Sequence, residues 1–225
     1  LYYTCISSYL TAEEVAYIVA DCEAQVFVTS FEKSYIATNL VEKMPLVHTR
    51  LMVGGLVEGY ESWESSIGGQ PALPVSDETE GADMLYSSGT TGKPKGIKIP
   101  LSGEPLGTSE TIQPIMVDVY GFGLETVYIS PAPLYHAAPL RFNKAVQRLG
   151  GTSIIMERFD PEHALALIEK YRATHSQWVP TMFVRMLKLP EEIRTKYDVS
   201  SMKMAIHAAA PCPIPVKERM IEWWG

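Results

Sequence analysis

The apolar pattern of this chain switches repeatedly between the period of a strand and that of a helix, and each switch is marked by a turn or capping signal. "TAEEVAYIVADCEA" (11–24) opens on a capping box, Thr11 with Glu14 three residues on, and then sets Val15, Ile18, Val19 and Cys22 at helical spacing. "QVFVTS" follows as a short β-branched strand, "FEKSYIATNLVEKM" as a second helix, and "LVHTRLMVG" carries a second strand that stops at Gly54 and Gly55. Residues 58–81, rich in glycine, proline and acidic groups, read as loop with one short helix around Trp63. The alternation then resumes: strand "ETVYIS", helix "HAAPLRFNKAVQRL", strand "TSIIME", helix "DPEHALALIEKYRA", strand "SQWVP", helix "TMFVRMLKL", strand "MKMAIHA" and helix "PVKERMIEWW". Asp160 stands at an N-cap with Pro161 at the first helical position. Strand–helix alternation of this kind predicts an α/β fold of parallel β/α lobes. The expected division is into lobes 1–80 and 105–225, joined by a loop hairpin over 82–100.

That hairpin holds the least core-like stretch of the chain. "YSSGTTGKPKG" (86–96) packs four serine and threonine hydroxyls, three glycines and two lysines into eleven residues. "GADMLYSS" and "KGIKIP" read as strands on either side. Gly89 and Gly92 free the backbone to turn its N–H groups toward an anion, Ser87, Ser88, Thr90 and Thr91 add hydroxyl donors, and Lys93 and Lys95 add charge. Such donors facing a phosphate are worth about 1.5–3 kcal/mol each. The segment is not a Walker A loop: the position five before Gly92 is Ser87 rather than glycine, and Pro94 obstructs a helix starting at Lys93. By composition alone a solvated hairpin tip is the lesser alternative for this loop, since flexible loops also favour glycine and serine.

The remaining composition narrows the partners. A net charge of −7 offers no electrostatic case for nucleic acid, so any phosphate must be held by a local site. No apolar run approaches the ~18 residues of a membrane span. Three cysteines, Cys5, Cys22 and Cys212, have no paired spacing, which fits reduced thiols in a cytoplasm better than a disulfide or zinc framework. His48, His163, His175 and His207 show no metal spacing and read as structural or surface residues. Both ends read as cut from a longer chain, since residue 1 lies inside a structured segment and "IEWWG" stops at an apolar helix. Apolar surface is therefore expected at both ends, with a tendency to self-associate into a homo-oligomer.

"YSSGTTGKPKG" closely resembles the phosphate-binding signature of the adenylate-forming superfamily, which includes acyl-CoA synthetases, luciferase-type enzymes and peptide-synthetase adenylation domains. Two more stretches fall in that family's order. "APLYHAAPL" resembles the motif whose aromatic and histidine border the acyl site, here Tyr135 and His136. "HAAAPCP" resembles the segment laid along the adenine, usually Gly-Ala-Ala-Pro, with Ala208 in place of the glycine and Ala209, Ala210 and Pro211 after it. Taken alone, His136 would read as a packed or capping histidine, and "HAAAPCP" as a small-residue turn.

The resemblance covers essentially all 225 residues and points to the fatty-acyl-CoA synthetase branch. It implies an ATP-dependent ligase: a carboxylate attacks the α-phosphate of ATP to give acyl-AMP and pyrophosphate, and coenzyme A then displaces AMP. Its implied roles are as follows. Ser87, Ser88, Gly89, Thr90, Thr91, Gly92, Lys93, Pro94, Lys95 and Gly96 wrap the phosphates, with Thr90, Thr91 and Lys95 in direct contact. Ser87 helps place Mg2+, Tyr135 and His136 line the acyl pocket, and Ala208, Ala209, Ala210 and Pro211 lie against adenine. No general base is required, because a carboxylate is already ionised at neutral pH. The family's glutamate that helps bind magnesium, its ribose-binding aspartate and its C-terminal domain with the adenylation lysine are expected beyond Gly225. The neighbouring readings are an acyl-AMP ligase, an aryl-acid CoA ligase, an inert nucleotide-binding or oligomerising piece, and an α/β binding protein with an accidental loop.

Overall fold

The computed structural model describes residues 1–87, 93–108 and 114–225. The chain forms two compact units, Leu1–Ser109 and Glu110–Gly225. The first contains β1 (Tyr2–Tyr3), α1 (Ala12–Asp21), β2 (Val26–Ser30), α2 (Ser34–Leu40), β3 (Thr49–Val53), β4 (Glu61–Ser62), α3 (Trp63–Gly68), β5 (Ala82–Asp83), β6 (Leu85–Ser87) and β7 (Lys95–Ile97). Strands β2, β3 and β4 form a parallel sheet in that order. The predicted capping box at the start of α1 is present, with Thr11 and Glu14 bonded reciprocally. Val15 and Val19 of α1 bury against Leu40, Met44 and Val47, while Ala37 of α2 closes on Met52 of β3.

The helix expected over 31–44 is broken. A 3-10 turn at Phe31–Lys33 leads into α2, and a second at Val41–Lys43 ends it. Thr38 and Asn39 turn their side chains back to the carbonyls of Ser34 and Tyr35, which competes with regular helix continuation. Arg50 Nη2 then takes the released carbonyls of Val41 and Met44 at 3.2 and 3.0 Å. "GADMLYSS" likewise yields two strands rather than one. Around buried Met84 the chain changes partners, β5 pairing in parallel with β1 and β6 pairing antiparallel with β7.

The second unit contains β8 (Val127–Ser130), α4 (Ala137–Arg148), β9 (Thr152–Ile155), α5 (Pro161–Tyr171), β10 (His175–Trp178), α6 (Pro180–Leu187), α7 (Glu191–Arg194), β11 (Met204–His207) and α8 (Ile214–Trp224). A π-helical turn at Ile115–Val119 precedes them. The four strands are all parallel, in the order β11-β10-β8-β9. Helix α4 covers one face, packing Phe142, Ala145 and Val146 on Tyr128. Helices α5, α6 and α8 cover the other, around Ile129 and Trp178. The sheet is thus doubly wound. The chain leaves β8 toward β9, then crosses back to place β10 and β11 on the opposite side of β8. The winding reverses between β8 and β10, and a crevice at the carboxyl ends of such strands is where open α/β sheets bind ligands.

Candidate functional site

In the second unit, two of the motif segments leave the carboxyl edge of that one sheet. Beyond Ser130 at the end of β8, the chain runs through Tyr135 to His136, which stands at the N-cap of α4. His136 is exposed, its side chain caps nothing, and its ring lies 4.5 Å from that of half-buried Tyr135. Beyond His207 at the end of β11, the Ala208 N–H donates to the Trp178 carbonyl at 3.0 Å, carrying the sheet bonding one residue past the strand. Ala209 then adopts φ +71°, a left-handed conformation in a residue with a Cβ. Ala209, Ala210 and Pro211 are exposed. The two segments therefore flank the reversal point, one from β8 and one from β11.

Small residues were expected at 208–211 so that a flat ring could approach the backbone. The structure adds a conformational reason at Ala209, which only glycine would satisfy without strain. Such strain persists where the surrounding fold enforces it, and is frequent at ligand sites.

A polar cluster that sequence reasoning did not single out lies at the same reversal point. Asn143 of α4 is 5% exposed and donates Nδ2 to Ser130 Oγ and to the Pro139 carbonyl, both at 2.8 Å. Gln177 of β10 is 2% exposed. His175 pairs with Tyr128, so Gln177, two residues on, lies on the same sheet face as Ser130. Asn143 Oδ1 and Gln177 Oε1 are both buried without a hydrogen-bond partner among the described residues. A buried amide oxygen left unpaired costs about 1–3 kcal/mol, so one on α4 and one on the sheet face that α4 covers stand out. Nothing in the residue pattern marks Asn143 beyond its being one polar position on the buried face of α4.

In the first unit, the hairpin pairs Tyr86 with Gly96 and Ser87 with Lys95. Ser88, Gly89, Thr90, Thr91 and Gly92 lie outside the described residues. After the loop the chain continues as β7, not as a helix, in keeping with Pro94, which obstructs a helix starting at Lys93. Strand alternation puts Ser87 and Lys95, both exposed, on the face opposite Tyr86. Gly96 has a packing reason: a Cβ there would fall 2.5 Å from Met84 Cε and 2.9 Å from Tyr86 Cζ. The motif's aromatic thus lies across its last glycine.

The Tyr86 hydroxyl donates to Asp21 Oδ2 at 2.5 Å, and the Tyr17 hydroxyl donates to the Pro94 carbonyl at 3.1 Å. Lys93 Nζ sits 5.2 Å above the Tyr17 ring. Burial, then the bond to the Asp21 carboxylate, pushes the Tyr86 phenol far above its ordinary value, so it stays a donor. Tyr17 and Asp21 were not singled out as site residues; their only sequence signal is an i, i+4 polar pair on α1.

For Mg2+, the described residues include no group of three or more His, Cys, Asp or Glu able to hold a metal ion. Ser87 offers a single hydroxyl, so these residues do not by themselves fit a divalent ion. Among the described residues no helix is long and apolar enough to cross a membrane.

The model of the AMP-binding enzyme family matches residues 1–225. Acyl-CoA synthetase 7 of Caenorhabditis elegans is 26% identical across 95% of the chain, and peroxisomal OPC-8:0-CoA ligase 1 of Arabidopsis thaliana is 28% identical across 94%. The chain spans 41% and 39% of their lengths. ATP-bound MatB from Rhodopseudomonas palustris superposes with a TM-score of 0.72 at 26% identity, covering 98% of this chain and 42% of that one. An anthranilate CoA ligase in complex with anthranoyl-AMP shares the fold, with a TM-score of 0.79 at 23% identity, over 98% of this chain and 43% of its own.

Proposed function

From the premise that this chain belongs to the AMP-binding enzyme family, we propose that it supplies nucleotide-binding and acyl-binding parts of an ATP-dependent acid–thiol ligase. In that reaction the carboxylate substrate attacks the ATP α-phosphate, pyrophosphate leaves, and the coenzyme A thiol then displaces AMP from the acyl-AMP to give a thioester. The observation that carries this reading is the placement of His136 and Ala208–Pro211 on either side of the winding reversal at the carboxyl edge of one parallel sheet.

In this reading Ala208, Ala209, Ala210 and Pro211 present backbone and small side chains to the adenine, while Tyr135 and His136 border the carboxylate. Residues 87–96 hold the β- and γ-phosphates, with Lys95, Thr90 and Thr91 stabilising the charge of departing pyrophosphate. Ser87 would contribute one hydroxyl toward Mg2+, an ion that the described residues do not hold by themselves. A cytoplasmic location belongs to the same proposal and fits the three free cysteines. So does self-association through exposed apolar side chains such as Ile214 and Ile221.

The likeness of the motifs favours a fatty acid. A second reading of the substrate has its own support: the unpaired oxygens of Asn143 and Gln177 would accept from an acid that carries a hydroxyl or amine, as an aryl acid can. Calorimetric binding of a non-hydrolysable acyl-adenylate mimic tests the main reading. Saturable binding by this chain is expected, and absence of binding by the folded chain would refute it. Comparing alkyl and hydroxyaryl versions of the mimic decides the substrate class. Because the chain matches under half the length of the two ligases above, binding without thioester formation is the outcome expected of it alone.

A further inference from the structure

We propose that Tyr17 and Asp21 of α1 are positioning residues for the phosphate-binding hairpin, bracing its two strands so that Lys95 rather than Lys93 meets the phosphates; this rests on the function proposed above. Helix α1 turns Val15, Ile18 and Val19 inward. Tyr17 and Asp21 are four residues apart and so share a face, and that face contacts the hairpin at both stems. On the entering strand, Asp21 accepts from the Tyr86 hydroxyl at 2.5 Å. On the returning side, Tyr17 donates to the Pro94 carbonyl at 3.1 Å. Neither contact is local in sequence, the partners standing 65 and 77 positions apart.

The geometry also divides the work of the two lysines. The Lys93 ammonium is drawn over the Tyr17 ring, 5.2 Å from its centre. Lys95, opposite Ser87 in the ladder, projects from the face that Tyr86 does not use. A loop that must present several backbone and side-chain donors at once gains most when its stems are held in advance, because the ordering is then complete before the ligand arrives. Tyr86 fills the space over Gly96, which lets its hydroxyl reach α1. Tyr17 and Asp21 act through these contacts and touch no substrate.

The test uses the full 225-residue chain with Tyr17→Phe, Asp21→Ala and Asp21→Asn, titrated separately with ATP and with AMP, which lacks the β- and γ-phosphates. Hydrogen exchange at residues 93–97 is measured on each ligand-free protein. Losing one such bond should weaken ATP binding about threefold to tenfold. AMP affinity should be unchanged, exchange at 93–97 should quicken, and Asp21→Asn, which keeps an acceptor, should restore both. Unaltered ATP affinity and exchange in Tyr17→Phe and Asp21→Ala would overturn the proposal, as would equal loss of ATP and AMP. If the wild-type chain binds neither nucleotide, the functional reading fails for this chain. Exchange then decides the brace alone: quickened exchange sustains it and unchanged exchange refutes it.

Discussion

The hairpin of the first unit and the sheet edge of the second both carry motif residues, but they are held in place differently. The sheet edge is set by buried backbone. Four parallel strands in register bring the starts of the two segments to one edge, over a core in which Tyr128, Ile129, Trp178 and Val146 are fully enclosed. The hairpin β6–β7 is three residues deep on each side, with Ser87, Lys95 and Ile97 exposed, and is tied down by single side chains reaching α1. One region is positioned by packing, which resists change until it fails outright. The other rests on buried Met84 and Leu85 at its base and, toward α1, on a few polar contacts that single substitutions remove.

The largest effect expected is on the packed side. Trp178 lies at the carboxyl end of β10, wholly buried, with Phe159, Phe183 and Trp224 within 6.1 Å of its ring centre. Trp178→Ala should cost about 3–5 kcal/mol, read as a lowered urea midpoint. A loss under ~1 kcal/mol would mean that the sheet edge is not set by packing, and the contrast would collapse. Next in size is Lys95→Ala on the exposed hairpin, where ATP affinity should fall by about tenfold to a hundredfold, the worth of one charge-assisted bond. Its urea midpoint should stay where it was. A shifted midpoint with unchanged ATP binding would reverse the assignment of Lys95 from ligand contact to structure.

The same contrast explains what could be read from residues alone. The parallel β/α architecture was legible because helix caps and strand lengths are local: Thr11 with Glu14, and Asp160 before Pro161, both cap as the residue types dictate. The hairpin was legible because "GADMLYSS" and "KGIKIP" read as strands on either side of a glycine-rich loop, and Pro94 obstructs a helix starting at Lys93. The break at the end of the helix over 31–44 was less so, since beside the local bonds of Thr38 and Asn39 it draws on Arg50 arriving from β3 to bond the carbonyls of Val41 and Met44. Tyr17 and Asp21 were hidden for the same reason: each finds its partner more than sixty residues away. The unpaired oxygens of Asn143 and Gln177 could appear only once α4 and β10 had been brought to one face of the sheet.

Ala209 sharpens the comparison from within the packed side. With φ +71° it holds a conformation that costs a Cβ-bearing residue about 1–2 kcal/mol. Ala209→Gly should therefore raise stability, by about 1 kcal/mol once the greater freedom of glycine in the unfolded chain is subtracted. Urea unfolding measures this directly. A destabilised variant would show that the methyl group packs more than the backbone strains, and that the turn is set by side-chain contact after all.

The smallest effect expected comes from His175, beneath the sheet edge. It is 4% exposed, packed edge-on against Phe122 with ring centres 4.7 Å apart. Nε2 lies 2.9 Å from the Tyr120 carbonyl and Nδ1 lies 2.8 Å from the Thr174 hydroxyl, so a neutral ring that donates from Nε2 and accepts at Nδ1 satisfies both. Burial lowers its pKa below the ordinary 6.5, opposed by the Tyr120 carbonyl and assisted by Lys203. Below pH 6.5 the unfolded chain binds a proton that the folded chain still refuses, so stability rises with pH through that window and levels off above it. Acidification from pH 7 should thus lower the melting temperature of the wild type more than that of His175→Gln, whose amide offers a donor and an acceptor but does not titrate. Equal slopes would place the His175 ring in contact with water in the folded state, and the packed region would be looser at β10 than its neighbours Tyr128 and Trp178 require.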